Sequence, residues 1–204
     1  IKLDGVSAKA GFRETENYGR LEFSFYKLAK ACGIKMSECS LIEESGRAHF
    51  LTRRFDRSGG KKIHMQTLCG MAHFDYRLHR VYSYEQAFSV MRALRLPYSA
   101  AKEMFRRMVF NVAVRNQDDH TKNISFLMGE DGVWRLSPAY DMGYAYNPGG
   151  GWTATHQMSI GGKFDDITRQ DLLQFALQNN IKDAAEIIDE VCETASGWPK
   201  MARE

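Results

Sequence analysis

Residues 116–127, NQDDHTKNISFL, set two carboxylates, a histidine, a lysine and an asparagine between two apolar runs. A packed core does not accept so many ionisable groups without partners, so this stretch must come to a cleft or surface where two elements meet. Upstream, SAAKEMFRRMVFNVAVRN carries Met104, Met108, Val109, Val112 and Ala113 at helical spacing, which predicts a long, largely buried helix. Downstream, ISFLM and VWRL read as strands, and GEDG between them supplies a turn. After the second strand comes SPAYDMGYAY, which places Asp141 at a strand end with Gly143 two residues on. A hairpin brings its ends together, so Asp118 or Asp119, Asn123 and Asp141 are expected to converge.

The remainder divides into two parts. The opening IKL is strand-like, and LEFSFYKLAKACG, with Leu21, Phe25, Leu28, Ala29 and Cys32 on one face, predicts an amphipathic helix ending at Gly33. CSLIEESGRAHFLTRRFDR reads as two strands joined at Glu44, Ser45 and Gly46, so residues 1–60 form a small mixed lobe. From there to residue 204 the pattern is mainly helical. Ser83 with Gln86 makes a capping box ahead of AFSVMRAL, and Pro97 is expected to stop that helix. Two later helices are signalled by Thr168 and Asp171 before LLQFALQ, and by DAAEIIDEVCETAS. YNPGGGWTATHQMSIGGKFDD, rich in glycine and polar residues, reads as a flexible loop.

Composition narrows the functional classes. The chain has 204 residues, 44% of them hydrophobic, enough for one large domain or a domain with a smaller lobe attached. A net charge of +3 does not argue for nucleic-acid binding, and the run Arg53, Arg54, Arg57, Lys61 and Lys62 reads as a solvated loop. The cysteines, Cys32, Cys39, Cys69 and Cys192, have neither zinc-site nor disulfide-framework spacing. With no apolar run of membrane-spanning length and no signal peptide, a cytoplasmic location is expected. Because it starts at Ile1, the sequence is expected to be part of a longer polypeptide.

The convergent residues point to a reaction class. An Asp followed five residues later by an Asn is the spacing of a phosphoryl-transfer loop, in which the Asp takes the substrate hydroxyl proton and the Asn holds Mg²⁺. Asp118 and Asn123 have this spacing, Asp119 and Asn123 do not, and DMG at 141–143 supplies a second acidic metal contact. Carboxylate and amide oxygens suit Mg²⁺, which binds phosphates at the same time. Taken singly, Asp118, Asp119 and Asp141 also read as turn residues, His120 as a packing residue and Lys122 as a neutralising charge. Asp119 is expected to face solvent, and Asp119→Asn to leave turnover almost unchanged.

NQDDHTKNISFL, continued by WRLSPAYDMGYAYNP, resembles the C-terminal kinase region of HipA-family toxins, the serine/threonine kinases of bacterial toxin–antitoxin modules. The hallmark D-x-H-x-K-N falls on Asp118, His120, Lys122 and Asn123, and P-x-Y-D on Pro138, Tyr140 and Asp141. The resemblance reaches back through HMQTLCGMAHFDYR, YSYEQAF and RFDR and forward through HQMSIGGK. It implies an α+β, protein-kinase-like HipA fold: a mostly α-helical catalytic lobe over 61–204 and a small partial mixed α/β N-terminal portion over 1–60. It also implies ATP and Mg²⁺ as cofactors, with Asp118, His120 and Lys122 as the catalytic group, Asp118 being the base. Asn123 and Asp141 would hold the metal, and His120 and Tyr140 would line the nucleotide site. Lys2 would contact the phosphates, oriented by Glu22. RRFD would be the hinge, with Arg53 and Phe55 at adenine and Asp56 near the ribose.

The implied partners are a HipB-type antitoxin, through which alone nucleic acid is engaged, and a Ser/Thr-bearing protein substrate such as an aminoacyl-tRNA synthetase. The family carries further N-terminal strands ahead of the nucleotide lysine, with a Ser-containing loop near the phosphates, and GVSAKAGF has no glycine fingerprint to replace it. Two other classes stay open: a metal-dependent nuclease or hydrolase using Asp118, Asp119, His120 and Asp141, and a catalytically silent co-repressor bound to a DNA-binding antitoxin. Trp152, Thr153, Thr155 and Ser159, in the segment after Asp-x-Gly, are candidates for substrate contact or phosphorylation.

Overall fold

A computed structural model describes residues 1–5 and 17–201, without the side chains of Lys200 and Met201. Residues 6–16, which hold most of GVSAKAGF, lie outside the described residues, as do 202–204.

The first helix, α1 (Tyr18–Ala31), buries Gly19, Phe25, Leu28 and Ala29. Its N-terminal turn is served from a distance: the buried Asp4 carboxylate accepts from the Asn17 and Tyr18 amides at 3.2 and 3.0 Å. Those backbone hydrogen bonds outweigh burial, which acts the other way, and hold Asp4 below the usual carboxylate range. The helix ends as expected at Gly33, whose φ of 78° is the left-handed conformation glycine adopts without a Cβ penalty.

A hairpin follows, β1 (Cys39–Glu44) paired antiparallel with β2 (Arg47–Thr52). Ser45 and Gly46 both have positive φ, at 52° and 78°, the two-residue turn whose twist suits paired strands. Gly19 lets α1 lie directly on β2, because a Cβ there would stand 1.8 Å from the Ala48 carbonyl oxygen. The opening IKL is no strand; only Lys2 pairs with β2, exchanging hydrogen bonds of 2.8 and 3.1 Å with Phe50.

Short strands β3 (Arg57–Ser58) and β4 (Lys61–Lys62) form a second small hairpin. β5 (His64–Thr67) then leads into a single helical turn, α2 (Leu68–Met71), and β6 (Tyr82–Ser83) into α3 (Tyr84–Ala93). The Ser83–Gln86 capping box is present. α3 ends before Pro97, with Arg95 at positive φ; Pro97 sits instead at the N-cap of α4 (Tyr98–Ala113). Pro lacks the N–H that a helix start leaves unpaired, so it suits this boundary.

α4 buries Met104, Phe105, Met108, Val109 and Phe110, whereas Ala113, expected on the same face, is exposed at the last turn. β7 (Ser125–Met128) and β8 (Trp134–Leu136) make the expected hairpin, and β5 adds to β7 as a third strand. β9 (Met158–Ser159) pairs in parallel with β6. The glycine-rich stretch is therefore ordered at its far end: Thr155 to Ile160 are all buried. α5 (Arg169–Gln178), with its Thr168–Asp171 capping box, α6 (Ala184–Ser196) and α7 (Trp198–Met201) complete an α+β fold in which helices dominate after residue 67.

One core runs through the molecule. Phe25 and Leu28 from α1, and Cys32 just past its end, share it with Phe105 and Met108 from α4 and Ile187 and Val191 from α6. Burial of this kind contributes roughly 1.5–3 kcal/mol per large apolar side chain. It makes a rigid floor for the loops that follow α4 and β8. No helix among the described residues is long and apolar enough to cross a membrane.

Candidate active site

The loop after α4 leaves the core at Asn116, and its two aspartates diverge at once. The Asp118 side chain is 43% exposed, while that of Asp119 is 1% exposed. The expectation that Asp119 faces solvent is therefore wrong. Its carboxylate accepts from the Gln157 amide at 2.8 Å and the Tyr84 hydroxyl at 2.8 Å, and its Oδ2 lies 2.9 Å from His156 Nδ1. A buried carboxylate costs several kcal/mol unless it is hydrogen-bonded, and this one has three partners. Burial, reinforced by the charge of Asp119, pushes the Tyr84 hydroxyl well above the ordinary tyrosine range, so it remains a donor.

The network continues. Asn111 Nδ2 donates to the Tyr84 hydroxyl at 3.0 Å, and Asn116 Nδ2 reaches both Asn111 Oδ1 at 3.0 Å and the Asp141 carbonyl at 3.2 Å. Buried polar groups thus tie the Asp119 side of the loop to the backbone of Asp141, which is held at a φ of 52°. A non-glycine residue in that region is strained by about 1–3 kcal/mol and needs such fixed neighbours. A second brace is the buried pair Glu103–Arg107, whose guanidinium also donates to the Ser137 carbonyl at 2.9 Å.

Lys2 reaches the same place from the other end of the chain. Its ammonium lies 2.7 Å from Glu22 on α1 and 2.7 Å from Asp141. Partial desolvation lowers the lysine's affinity for its proton, but the hydrogen bonds and charges of Asp141 and Glu22 outweigh it and hold Lys2 above the ordinary lysine range. Lys2, Glu22, Asp118 and Asp141 line an open cleft of about 650 Å³, solvent mouth included, within the range of small-molecule sites. His120, Asn123, Tyr140 and Asp141 line an adjoining cavity, so the predicted residues converge on Asp141 from both sides.

Electrostatics separate the roles. Burial raises the Asp118 carboxyl above its usual range; His120 and the Trp152 indole oppose the rise, and Asp141 and Asp119 add to it. Trp152 Nε1 donates to Asp118 Oδ1 at 3.0 Å, and Oδ2 has no protein hydrogen bond among the described residues. Asn123 uses Nδ2 to donate to the Asp118 carbonyl at 2.9 Å, which leaves its oxygen as an acceptor. Asp141 gives one oxygen to Lys2, and its other has no protein hydrogen bond among the described residues.

Two hard oxygens fit a Mg²⁺ ion that completes its shell with phosphate oxygens and water. No cluster of three or more His, Cys, Asp or Glu residues able to hold a metal by itself occurs among the described residues. His120 Nδ1, buried and without a partner among the described residues, marks the same cavity as one that a polar ligand would complete.

Not every predicted residue is gathered in. The Lys122 ammonium lies 3.5 Å from the centroid of the Tyr76 ring, and its carbonyl accepts from the Tyr140 hydroxyl at 2.6 Å. Tyr140 is further bound to Ser125, and burial pushes its hydroxyl up to about 12. Phe55 reaches the site through Tyr140, ring centroids 5.6 Å apart. Asp56 is held by Arg54 at 2.6 Å and Arg57 at 2.5 Å, and Arg53 is exposed, its amide donating to the Glu38 carbonyl. Thr155 and Ser159 are buried, at 8% and 6% exposure, which removes them as accessible phosphate acceptors in this conformation.

Reading the sequence missed Asp4, Tyr84, Asn111, Asn116, His156 and Gln157. The one available signal was Asn111, a polar residue on the buried face of an apolar helix, which must find a partner.

Comparison with known proteins gives the family and the fold. Residues 1–198 match the family described as HipA-like C-terminal domain. The serine/threonine-protein kinase toxin HipA of Shewanella oneidensis is 24% identical over 163 residues, 68% of this chain and 37% of that protein. A Haemophilus influenzae relative is 25% identical over 134 residues, and the chain spans 39% of it, so the chain covers about two fifths of these curated relatives.

Among solved structures, Shewanella oneidensis HipA, from a complex with HipB and operator DNA, superposes with a TM-score of 0.71 at 21% identity, covering 93% of this chain and 50% of that one. The Helicobacter pylori proinflammatory kinase CtkA gives 0.57 at 12% identity, covering 91% of this chain and 84% of that one. Both likenesses establish a kinase-like fold. With residues 1–198 matched, nearly its whole length, the chain belongs to the HipA-like C-terminal domain family.

Proposed function

We propose that this chain is the catalytic region of an ATP- and Mg²⁺-dependent serine/threonine protein kinase that acts as the toxin of a bacterial toxin–antitoxin pair in the cytoplasm. The observation that carries the reading is the division of labour between neighbouring aspartates: Asp119 is buried and hydrogen-bonded, and Asp118 lines the cleft with one oxygen unbonded among the described residues. On this reading residues 1–60 are a partial N-lobe and 61–204 the catalytic lobe. Mg²⁺, when bound by Asn123 and Asp141 with the ATP phosphates, would offset negative charge on the transferring group. Lys2 adds positive charge at the same phosphates, and Glu22 keeps it there. Asp118 Oδ2 takes the proton of a Ser or Thr hydroxyl as its oxygen bonds to the γ-phosphorus and ADP leaves with the electrons of the broken bond.

The residues around Phe55 and Tyr140 would receive the adenosine, and the Asp56 carboxylate would reach a ribose only by leaving Arg54 and Arg57. The engagement of Asp119 argues against a hydrolase that needs it as a metal ligand. A HipB-type antitoxin is the proposed partner, because the Shewanella structure is described as a complex of HipA, HipB and operator DNA. A translation protein such as an aminoacyl-tRNA synthetase is the proposed substrate class. The rival, a silent co-repressor, predicts antitoxin binding without phosphoryl transfer.

The test is incubation of the full-length polypeptide with radiolabelled ATP, Mg²⁺ and a cell lysate. Label on Ser or Thr of a lysate protein, lost on chelation of Mg²⁺, is expected. A folded protein that labels nothing would overturn the kinase reading.

A further inference from the structure

Segment 152–159 lies where the chain returns after Asp-x-Gly, and it is fastened to the catalytic loop through Trp152, His156 and Gln157, the last also reaching the Gln117 carbonyl at 3.4 Å. Trp152 Nε1 donates to Asp118 Oδ1 at 3.0 Å. The Gln157 amide donates to Asp119 Oδ1 at 2.8 Å, and His156 lies 2.9 Å from Asp119 Oδ2. The Gln157 side chain then closes the segment on itself, donating to the Trp152 carbonyl and to the Thr155 carbonyl at 3.0 Å. On its other side, the Trp152 ring stands edge to face against His79, with centroids 3.7 Å apart.

We infer that Asp119 is the anchor that straps this segment to the loop, and that Trp152 is a positioning residue that fixes the Asp118 carboxylate so that Oδ2 is left to take the substrate proton. This rests on the kinase reading above and goes beyond it by assigning roles to Trp152, outside the D-x-H-x-K-N motif, and to Asp119, at a position the motif leaves open. A carboxylate bonded through one oxygen to a fixed indole cannot rotate freely, so its second oxygen is pre-set for the acceptor hydroxyl. The indole is held because Asp119 is itself held: its partners Tyr84, at the start of α3, and His156 and Gln157, on the strap, are all buried. Asp118 and Asp119 thus act as a base and its mount, one residue apart.

The test uses the full-length polypeptide with radiolabelled ATP and the labelled lysate protein as acceptor. Trp152→Phe keeps the ring and removes the donor; kcat should fall about tenfold, the scale of one hydrogen bond to a charged group, with KM for ATP within twofold of wild type. Asp119→Ala should lower kcat at least as far and move the ¹H–¹⁵N indole resonance of Trp152 to the position of a free indole. Asp119→Asn keeps an oxygen for the Gln157 amide and should recover most of both, which guards against an alanine variant that fails to fold.

Wild-type kcat in Trp152→Phe, or an unmoved indole resonance in folded Asp119→Ala, would overturn the inference. So would an Asp119→Asn variant no better than Asp119→Ala. If the wild type transfers no phosphate, the kinase reading fails by itself, and the indole resonance alone decides whether Asp119 holds the strap.

Discussion

Lys2 meets both carboxylates at 2.7 Å, and replacing it with methionine separates a structural from a catalytic role. The Lys2 side chain is 58% exposed and its partners 24% and 45% exposed, so solvent screens both pairs. Exposed pairs of this kind contribute roughly 0.2–1 kcal/mol each. Lys2→Met should therefore cost about 1 kcal/mol in all, which for a domain of this size lowers Tm by about 2–4 °C. Methionine keeps the length and packing of the stem, and the Lys2–Phe50 backbone pairing is untouched.

A charge-assisted contact to phosphate is worth more, about 1.5–3 kcal/mol, or roughly a 10- to 150-fold loss of phosphoryl transfer. The assay pairs a thermal melt of the full-length variant with the rate of label transfer from ATP. A large kinetic loss beside a small shift in Tm is expected. Transfer within threefold of wild type would refute the phosphate role, and a Tm loss above about 10 °C would show that Lys2 is chiefly a strut.

Further expectations come from the buried network and from titration. Tyr84→Phe removes a hydroxyl that donates to Asp119 and accepts from Asn111, so it should cost about 2 kcal/mol and lower Tm by about 4–8 °C in calorimetry. Thr168→Ala breaks the α5 capping box and should cost about 1 kcal/mol by denaturant titration, with phosphoryl transfer unchanged. Activity should disappear as pH falls through a pKa above the ordinary 3.8 of an aspartate, because burial raises Asp118 and its protonated form cannot accept the hydroxyl proton. Stability moves elsewhere: Arg135 beside Asp131, and Lys163 and Thr168 beside Asp171, hold those carboxyls down at about 2, so their contribution, fully present above 3.8, is lost progressively as pH falls from there through about 2. Rate and circular dichroism measured across the same acid range should therefore part, with the rate lost first.

Local features were the legible ones. The Ser45–Gly46 turn, the capping boxes at Ser83 and Thr168 and the register of Asp118 to Asn123 all depend on residues within five positions of each other, so spacing alone reveals them. The end of α3 was misread because Pro97 has two uses, and here it opens the next helix. What spacing did not reveal is long-range. Asp119 meets Tyr84 across 35 residues and His156 across 37, and Asp4 meets the start of α1 across a stretch outside the described residues. Spacing to Asn123 singles out Asp118, but only tertiary burial shows that Asp119 belongs to the frame rather than to solvent.

The central claim is that Asp118 is the base. Asp118→Asn keeps the size of the side chain and can keep the Trp152 contact through its oxygen, so far-ultraviolet circular dichroism should match wild type. Label transfer from ATP to the protein substrate, measured on the full-length polypeptide at saturating Mg²⁺, should fall by about 10²–10⁴-fold, the usual share of a general base. Transfer at the wild-type rate by a folded Asp118→Asn variant would contradict the account.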